Sequence, residues 1–390
     1  MDMTSRARLL ILLALIVRGT ACLHAGEPVE PSEKKIIYYG WNTRDSAYVS
    51  VRWREMEKMP FDGIAISIAL DRALPTVGDG STANLLGWNI FGPEAFNPED
   101  FRAAITDLQQ PAWTRFTDNF LPLAIATRDQ DHGLTWFDDA RWARIENNWR
   151  ALLTIAHEGR CRGLLLDAEH YDYECELFNY LHHRAQRDDR PFEDYTAQAR
   201  ERGRQLGAAV REISPDITIG LLYGYTLSER ERRDGQDPET TRYALMPAFL
   251  DGLIEGCESD AKFVDLWEFG HRYRKPEHFL YARNEIQIPK PGMEASQRSL
   301  VTPGMSLRLD YRVPRARWHP EFPERNYFSP VRFERALRGA LDVTDLYVWI
   351  YSEDGPKFFP QKRLPWEYVR AIRAACRSAA TSSVAVRRAN

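Results

Sequence analysis

Two carboxylates stand one residue apart in the run GLLLDAE (163–169), at Asp167 and Glu169. Two more close other apolar runs: Asp310 in MSLRLDY (305–311), two residues after Arg308, and Glu353 in LYVWIYSE (346–353). On a strand, side chains alternate between faces, so residues two apart share a side. One side of the first run carries Leu165, Asp167, Glu169 and, beyond it, Tyr171; the other carries Leu164, Leu166 and Ala168. Carboxylates pressed against a helix layer would lose water without gaining partners, so the charged sides are expected to face a solvated opening. Acids gathered there repel one another, and some should hold a proton near neutral pH. One carboxyl that gives a proton to a leaving oxygen, and another that attacks or takes one, is the pair that hydrolysis of a glycosidic bond requires. On this reading Glu169 is the general acid, and Asp167 stabilises positive charge or orients the nucleophile. Glu353 or Asp310 supplies the second carboxylate. The competing reading is a salt-bridge layer in which Arg308 neutralises Asp167 or Asp310, with Glu353 a solvated turn residue before DGP (354–356).

These residues need strands that converge. Eight β-rich runs are legible: 36–41, 62–70, 121–127, 163–169, 217–225, 263–269, 305–311 and 346–353. Amphipathic stretches separate them, among them 47–59, 138–159, 196–213 and 329–341, the last opened by Ser329 and Pro330 as N-cap and N1. The helix after the sixth strand is the faintest. Strand alternating with helix implies parallel βαβ units, and eight of them are the count of a closed (β/α)8 TIM barrel. Segments leading into strands are short, whereas those leaving them are long (71–100, 170–195, 226–241, 270–303, 312–328, 354–364). That asymmetry puts the elaboration at the C-terminal face of a barrel. The first strand-to-helix turn, GWNTRDS (40–46), lacks the glycine-rich phosphate loop of a dinucleotide fold.

Closing the sheet assigns the remaining side chains. In the eighth strand Tyr347, Trp349, Tyr351 and Glu353 share the inner side, while Val348 and Ile350 face helices. In the sixth, Asp265 and Trp267 alternate with Val264, Leu266 and Glu268, and the direction stays open. Sugar rings have apolar C–H faces that pack on aromatics. Tyr171, Tyr223, Trp267, Trp349 and Tyr351 are therefore expected to bind substrate together with Arg308, with Trp349 as a subsite floor. Other loop rings are Trp88, Phe91, Tyr173, Tyr225, Tyr273, Trp318 and Phe358. Trp41 and Asn42, ending the first strand, are expected to reach a sugar hydroxyl.

The runs GLLLDAEHYDY and YVWIYSE together resemble (β/α)8 glycoside hydrolases, which carry catalytic carboxylates at the end of strand four. The strand-four DxE resembles that of the chitinase-type family. There the Glu, matched by Glu169, is the acid, and the Asp, matched by Asp167, orients a substrate acetamide that acts as nucleophile. Trp349 matches that family's strand-eight tryptophan. The two upstream acids of its longer motif fall at Leu165 and Arg162 and do not match. In the cellulase-like superfamily an Asn–Glu pair ends strand four and a Glu nucleophile stands on strand seven; here Ala168 and Asp310 occupy those places. The resemblance implies a glycan-active barrel without assigning a family.

Composition bounds the alternatives. The chain has 390 residues, 44% hydrophobic and 28% charged, with 12% aromatics including 11 Trp and a formal charge of −4. That is a globular chain with no field favouring nucleic acid. Arg6 and Arg8 precede the apolar run Leu9–Val17 and then Gly19, Thr20 and Ala21, the order of a secretory signal too short to span a bilayer. Cleavage after Ala21 or Ala25 fits; Cys22 offers a weaker lipoprotein alternative. The expected organisation is a signal at 1–25, a linker at 26–34, one catalytic barrel at 35–380 and a disordered tail at 381–390. The product is a secreted or periplasmic protein, monomer or weak oligomer, acting on carbohydrate. Five cysteines (22, 161, 175, 257, 376) lack CxxC spacing, which argues against a zinc ribbon; whether four of them form disulfides stays open. No cofactor is implied. His170, His182 and His183 leave a metal-dependent hydrolase or lyase as one alternative. A barrel that binds glycans without cleaving them is the other.

Overall fold

In the computed structural model the described residues are 34–40, 43–71, 84–127, 134–171, 175–185, 189–233, 237–258, 260–287, 297, 300–314, 316–353 and 364–389. The chain divides into a body, Glu33–Ala379, and a small unit of Met1–Ser32 with Ala380–Asn390. The strands all lie in the body.

Among the described residues nine strands are assigned: β1 (Lys35–Gly40), β2 (Gly63–Ile64), β3 (Phe120–Ala124), β4 (Gly163–Asp167), β5 (Thr218–Leu221), β6 (Lys262–Asp265), β7 (Val301–Pro303), β8 (Met305–Arg308) and β9 (Tyr347–Ser352). Their ladders are all parallel, in the orders β2-β1-β9-β8 and β3-β4-β5-β6-β7. Both seams between the two groups are joined. A parallel bridge links Ala65 to Phe120, and the Ile66 amide donates to the Phe120 carbonyl at 2.8 Å. At the other seam β7 and β8 are one barrel strand broken at Gly304: its first half pairs with β6, its second with β9. The Gly304 amide turns to the Asp265 carbonyl, 2.7 Å away, and a Cβ there would come within 2.8 Å of Val264 and 2.9 Å of Leu266. The result is the expected α/β architecture, a (β/α)8 barrel. The seventh strand starts earlier than the 305–311 run because Gly304 masks its continuity, and the second strand has a much shorter ladder than 62–70.

The helices follow the strands in order. They are α1 (Ser46–Met56), α2 (Arg102–Gln109), α3 (Asp139–Glu158), α4 (Tyr180–Ala185), α5 (Phe192–Ile213), α6 (Thr226–Arg233), α7 (Met246–Cys257), α8 (Pro276–Gln287), α9 (Pro330–Val343) and α10 (Trp366–Ala389). Asp45 caps α1 by accepting from the Tyr48 amide at 2.8 Å, and Asp138 caps α3 by accepting from Arg141 at 3.0 Å. Ser329 and Pro330 open α9 as N-cap and N1. Helix α10 runs on to Ala389, through the stretch expected as a tail. Helices α5 and α7 approach backbone to backbone: a Cβ at Gly252 would lie 1.8 Å from the Arg200 carbonyl. Cys161, Cys175, Cys257 and Cys376 are free thiols, which answers the disulfide question for these four. No described helix is long and apolar enough to cross a membrane.

Two apolar layers hold the barrel. Ile37, Ala65, Phe120, Leu165, Leu222, Val264, Leu266, Tyr347 and Trp349 fill its interior. The alternate residues, such as Leu164, Leu166, Phe263, Met305, Leu307, Val348 and Ile350, pack outward in the layer shared with the helices. This division fixes which polar side chains reach the mouth.

Candidate active site

Strand β4 delivers the first carboxylates. Leu165 is an interior residue, so Asp167 continues the inner set, and Glu169 follows just past the strand. Asp167 is 5% exposed. Its Oδ1 accepts from the Glu169 amide at 3.0 Å, and its Oδ2 accepts from the Tyr171 hydroxyl at 2.5 Å. The same hydroxyl lies 3.2 Å from Glu169 Oε2, and the Tyr223 hydroxyl is hydrogen-bonded to Glu169 as well. Burial first, and the Glu169 charge second, push the Asp167 carboxyl up to about 7, against the pull of the Tyr171 hydrogen bond.

Strand β6 delivers a carboxylate that sequence reasoning passed over. Val264 and Leu266 belong to the barrel interior, so alternation turns Asp265 away from it, and the turn at Trp267 then brings Glu268 to face Asp167 and Glu169. The Glu268 side chain is 18% exposed. Burial and the charges of Asp167 and Glu169 raise its pKa well above the usual carboxylate range, with Arg308 opposing and Glu353 adding to the rise. His271, one 3₁₀ turn on, places Nδ1 3.9 Å from Glu268 Oε1 and stacks on Tyr351 with ring centroids 5.0 Å apart. Burial, helped by Arg308, lowers the His271 pKa to about 3, so the ring is neutral.

The residue before Glu268 is in a conformation that bulky residues rarely adopt. Trp267 has φ 46° and ψ 66°, in the left-handed region. Four hydrogen bonds hold it there. Its amide donates to Asp265 Oδ1 (2.9 Å), its carbonyl accepts from Ser306 Oγ (2.7 Å) and the Gly270 amide (2.9 Å), and its indole N–H donates to the Tyr273 hydroxyl (3.2 Å). The ring is 2% exposed and packs edge-on to Phe269. Trp267, expected to bind substrate, is instead part of the layer outside the barrel, because its backbone turn sends the ring outward. The sequence signal for Glu268 was only half present: the inner set Val264, Leu266 and Glu268 competes with Asp265 and Trp267, and it is the packing of Val264 and Leu266 in the interior that decides between them.

Strands β8 and β9 supply an ion-paired group. Arg308 sends Nη2 to Glu353 Oε1 at 3.0 Å and Nε to Asp310 Oδ1 at 3.4 Å, and its guanidinium lies 5.5 Å from the Tyr351 ring centre. Asp310 is 1% exposed; it also accepts from Ser352 Oγ (3.0 Å) and the Glu353 amide (3.3 Å). Both acids are thus engaged with Arg308, and Asp310 also with the backbone of Glu353.

Aromatic rings wall the opening. Tyr39, on β1, stacks over Trp349 (centroids 5.5 Å, 28°) and faces the charges of Asp167, Glu268 and Glu169. Tyr223 faces Glu268 and Glu169, Tyr351 borders Glu353, and Trp88 meets Tyr171 edge-on at 4.7 Å. Trp349, expected as a subsite floor, is fully buried: its indole N–H donates to the Leu266 carbonyl at 2.9 Å, and Tyr39 covers it. Phe91 and Tyr225 are core residues, and Tyr273 and Trp318 pack against the core. Trp41, Asn42, Tyr173 and Phe358 lie outside the described residues.

The His182 and His183 rings meet edge-on, 5.9 Å apart, and both face His170. His170 stacks flat on Tyr243 (4.3 Å, 8°), and its Nε2 accepts from the Phe178 amide at 3.1 Å. Among the described residues no three His, Cys, Asp or Glu side chains come together to hold a metal ion.

No protein-family model matches the chain, and no curated protein matches it. Solved structures do. The chain is similar to a GH18 chitinase from Pseudoalteromonas aurantia, at 10% identity over 88% of this chain and 100% of that one, with a TM-score of 0.38. It is also similar to a Bacteroidetes-affiliated GH5 cellulase linked with a polysaccharide utilization locus, at 12% identity over 90% and 95%, TM-score 0.45. An endocellulase from Pyrococcus horikoshii matches at 9% identity over 87% and 91%, TM-score 0.41. These are likenesses of chain path. The barrel itself is read from its strand order, and its chemistry from the mouth.

Proposed function

We propose that the chain is a glycoside hydrolase working by carboxyl acid–base chemistry at this mouth. The observation that carries the reading is the convergence of Asp167, Glu169 and Glu268 from two strands inside a wall of Tyr39, Tyr171, Tyr223 and Tyr351. Carboxyls held close at low hydration differ in protonation, and that difference is what cleavage of an acetal C–O bond uses. The aromatic wall suits the C–H faces of a sugar. Glu169 is one of the working carboxyls, with Asp167 orienting or stabilising the charge that develops beside it. Carbohydrate is then the partner. The Arg6–Ala21 segment, which lies outside the described residues, supports export of the protein.

The test is reducing-sugar release from a panel of polysaccharides by the purified protein, beside Glu169→Gln. A fall of about a hundredfold or more is expected, in line with the usual contribution of a positioned acid or base. Unchanged circular dichroism would exclude misfolding as its cause. Glycan binding without release by the wild type would turn the reading to a non-catalytic barrel.

A further inference from the structure

The carboxyl pair needs a second member, and the mouth offers three: Asp310, Glu353 and Glu268. Asp310 is engaged by Ser352, the Glu353 amide and Arg308, and Glu353 is paired with Arg308 at 3.0 Å. Glu268 has neither kind of engagement. No Lys or Arg lies within ion-pair distance of it among the described residues, and its nearest cationic candidate, His271 at 3.9 Å, is neutral. It faces Asp167 and Glu169 directly enough for their charges to act on it. The chain also spends a left-handed tryptophan, pinned by four hydrogen bonds, on the turn that brings it there. Strain of this kind persists where the surroundings over-determine it and is concentrated at working sites.

We propose that Glu268 is the proton donor of the reaction, with Glu169 as its partner on the attacking side. This rests on the glycosidase reading and exchanges the role that the strand-four pattern suggested for Glu169. The Glu268 O–H proton passes to the glycosidic oxygen as the C–O bond breaks, and that bond's electron pair leaves with the oxygen. A water oxygen bonds to the anomeric carbon, and its proton goes to the Glu169 carboxylate. Solvent then returns one proton to Glu268 and takes one from Glu169, so water is the only co-reactant consumed. The two phenols that reach Glu169, Tyr171 and Tyr223, are hydrogen-bond donors suited to a carboxylate, and Glu268 lacks such donors among the described residues.

A leaving-group comparison tests this. Matched phenyl and dinitrophenyl glycosides of the common hexoses and N-acetylhexosamines are the probes, assayed with wild type, Glu268→Gln and Glu169→Gln. A dinitrophenolate leaves without protonation, whereas a phenolate needs it. Glu268→Gln should therefore lose about a hundredfold or more in kcat on the phenyl glycoside and less than about tenfold on the dinitrophenyl one. Glu169→Gln should lose about a hundredfold on both. Equal losses of Glu268→Gln on the two probes, or no loss on either, would overturn the assignment. So would leaving-group dependence shown by Glu169→Gln instead. A wild type inactive on every glycoside and polysaccharide would remove the glycosidase reading itself, a different failure from an active wild type with an indifferent Glu268→Gln. Glu268→Gln is close to isosteric and removes a buried acid, so its melting temperature should not fall; Glu268→Ala serves as the second variant.

Discussion

The hydroxyl of Tyr171 lies 2.5 Å from Asp167 Oδ2 and 3.2 Å from Glu169 Oε2, so one proton serves two acids that differ in distance. The shorter bond holds the Asp167 anion against its burial, and without it the carboxyl would rise further above about 7. Tyr171→Phe should therefore lower activity about tenfold at pH 7 and shift the acidic limb of the kcat/KM profile to higher pH. The ring contact with Trp88 survives the change, so stability should move by only about 1 kcal/mol. A pH profile superimposable on that of the wild type would mean that ionised Asp167 is not required.

A carboxyl raised in the folded state makes stability depend on pH in a definite direction. Asp167 titrates near 3.9 when unfolded and at about 7 when folded, so between those values the folded protein binds more protons. Unfolding free energy should fall as pH rises from about 4 to about 7 and then level off, and Glu268 contributes with the same sign. Asp167→Asn keeps an acceptor for the Glu169 amide and abolishes this group's share of the slope. At pH 8 it should be more stable than wild type by about 1–3 kcal/mol while less active. Melting temperatures from pH 4 to 8 for both proteins check it; a variant less stable at pH 8 would contradict the buried-acid account.

The ion-paired acids should behave otherwise. Glu353 is partly exposed and paired with Arg308, so Glu353→Gln should leave activity within about threefold of wild type. Asp310 is buried under two donors and the arginine, and Asp310→Asn should cost about 1–3 kcal/mol through unsatisfied hydrogen bonds. Assays of the two at equal folded fraction would separate these effects. A hundredfold loss in Glu353→Gln would bring the strand-eight acid back as the second carboxylate.

The barrel was legible because periodicity repeats eight times and errors in single runs do not disturb the count. The inner sets of β4, β8 and β9 were legible too, since a carboxylate or arginine on one side of an apolar strand decides its direction. Strand six had acids on both sides, Asp265 and Glu268, and a tryptophan that suited a sugar site, so alternation alone was undecided. What settled it was three-dimensional: the Val264 and Leu266 side chains fill the same interior as Leu165 and Trp349. The left-handed turn at Trp267 carries no sequence mark, because its anchors at Ser306 and Tyr273 come from outside the strand. The burial of Trp349 was equally out of reach, as it depends on Tyr39 lying across it from β1.

That turn gives the last prediction. The Trp267 carbonyl accepts from two donors, the Ser306 hydroxyl at 2.7 Å and the Gly270 amide at 2.9 Å. Ser306 is fully buried, so Ser306→Ala removes one donor without admitting water and should cost about 1–2 kcal/mol. Ser306 is a positioning residue here, acting on Glu268 through the Trp267 backbone. Relaxing a left-handed tryptophan should let Glu268 drift from the bond it protonates, while the Tyr39, Tyr171 and Tyr223 wall keeps its hold on substrate. The expected signature is a kcat lowered about three- to thirtyfold with KM nearly unchanged, measured well below the melting transition. Ser306→Thr, which keeps the hydroxyl, should recover part of the loss. An Ala variant that is destabilised but has wild-type kcat would show that Ser306 supports the fold and not the placement of the acid.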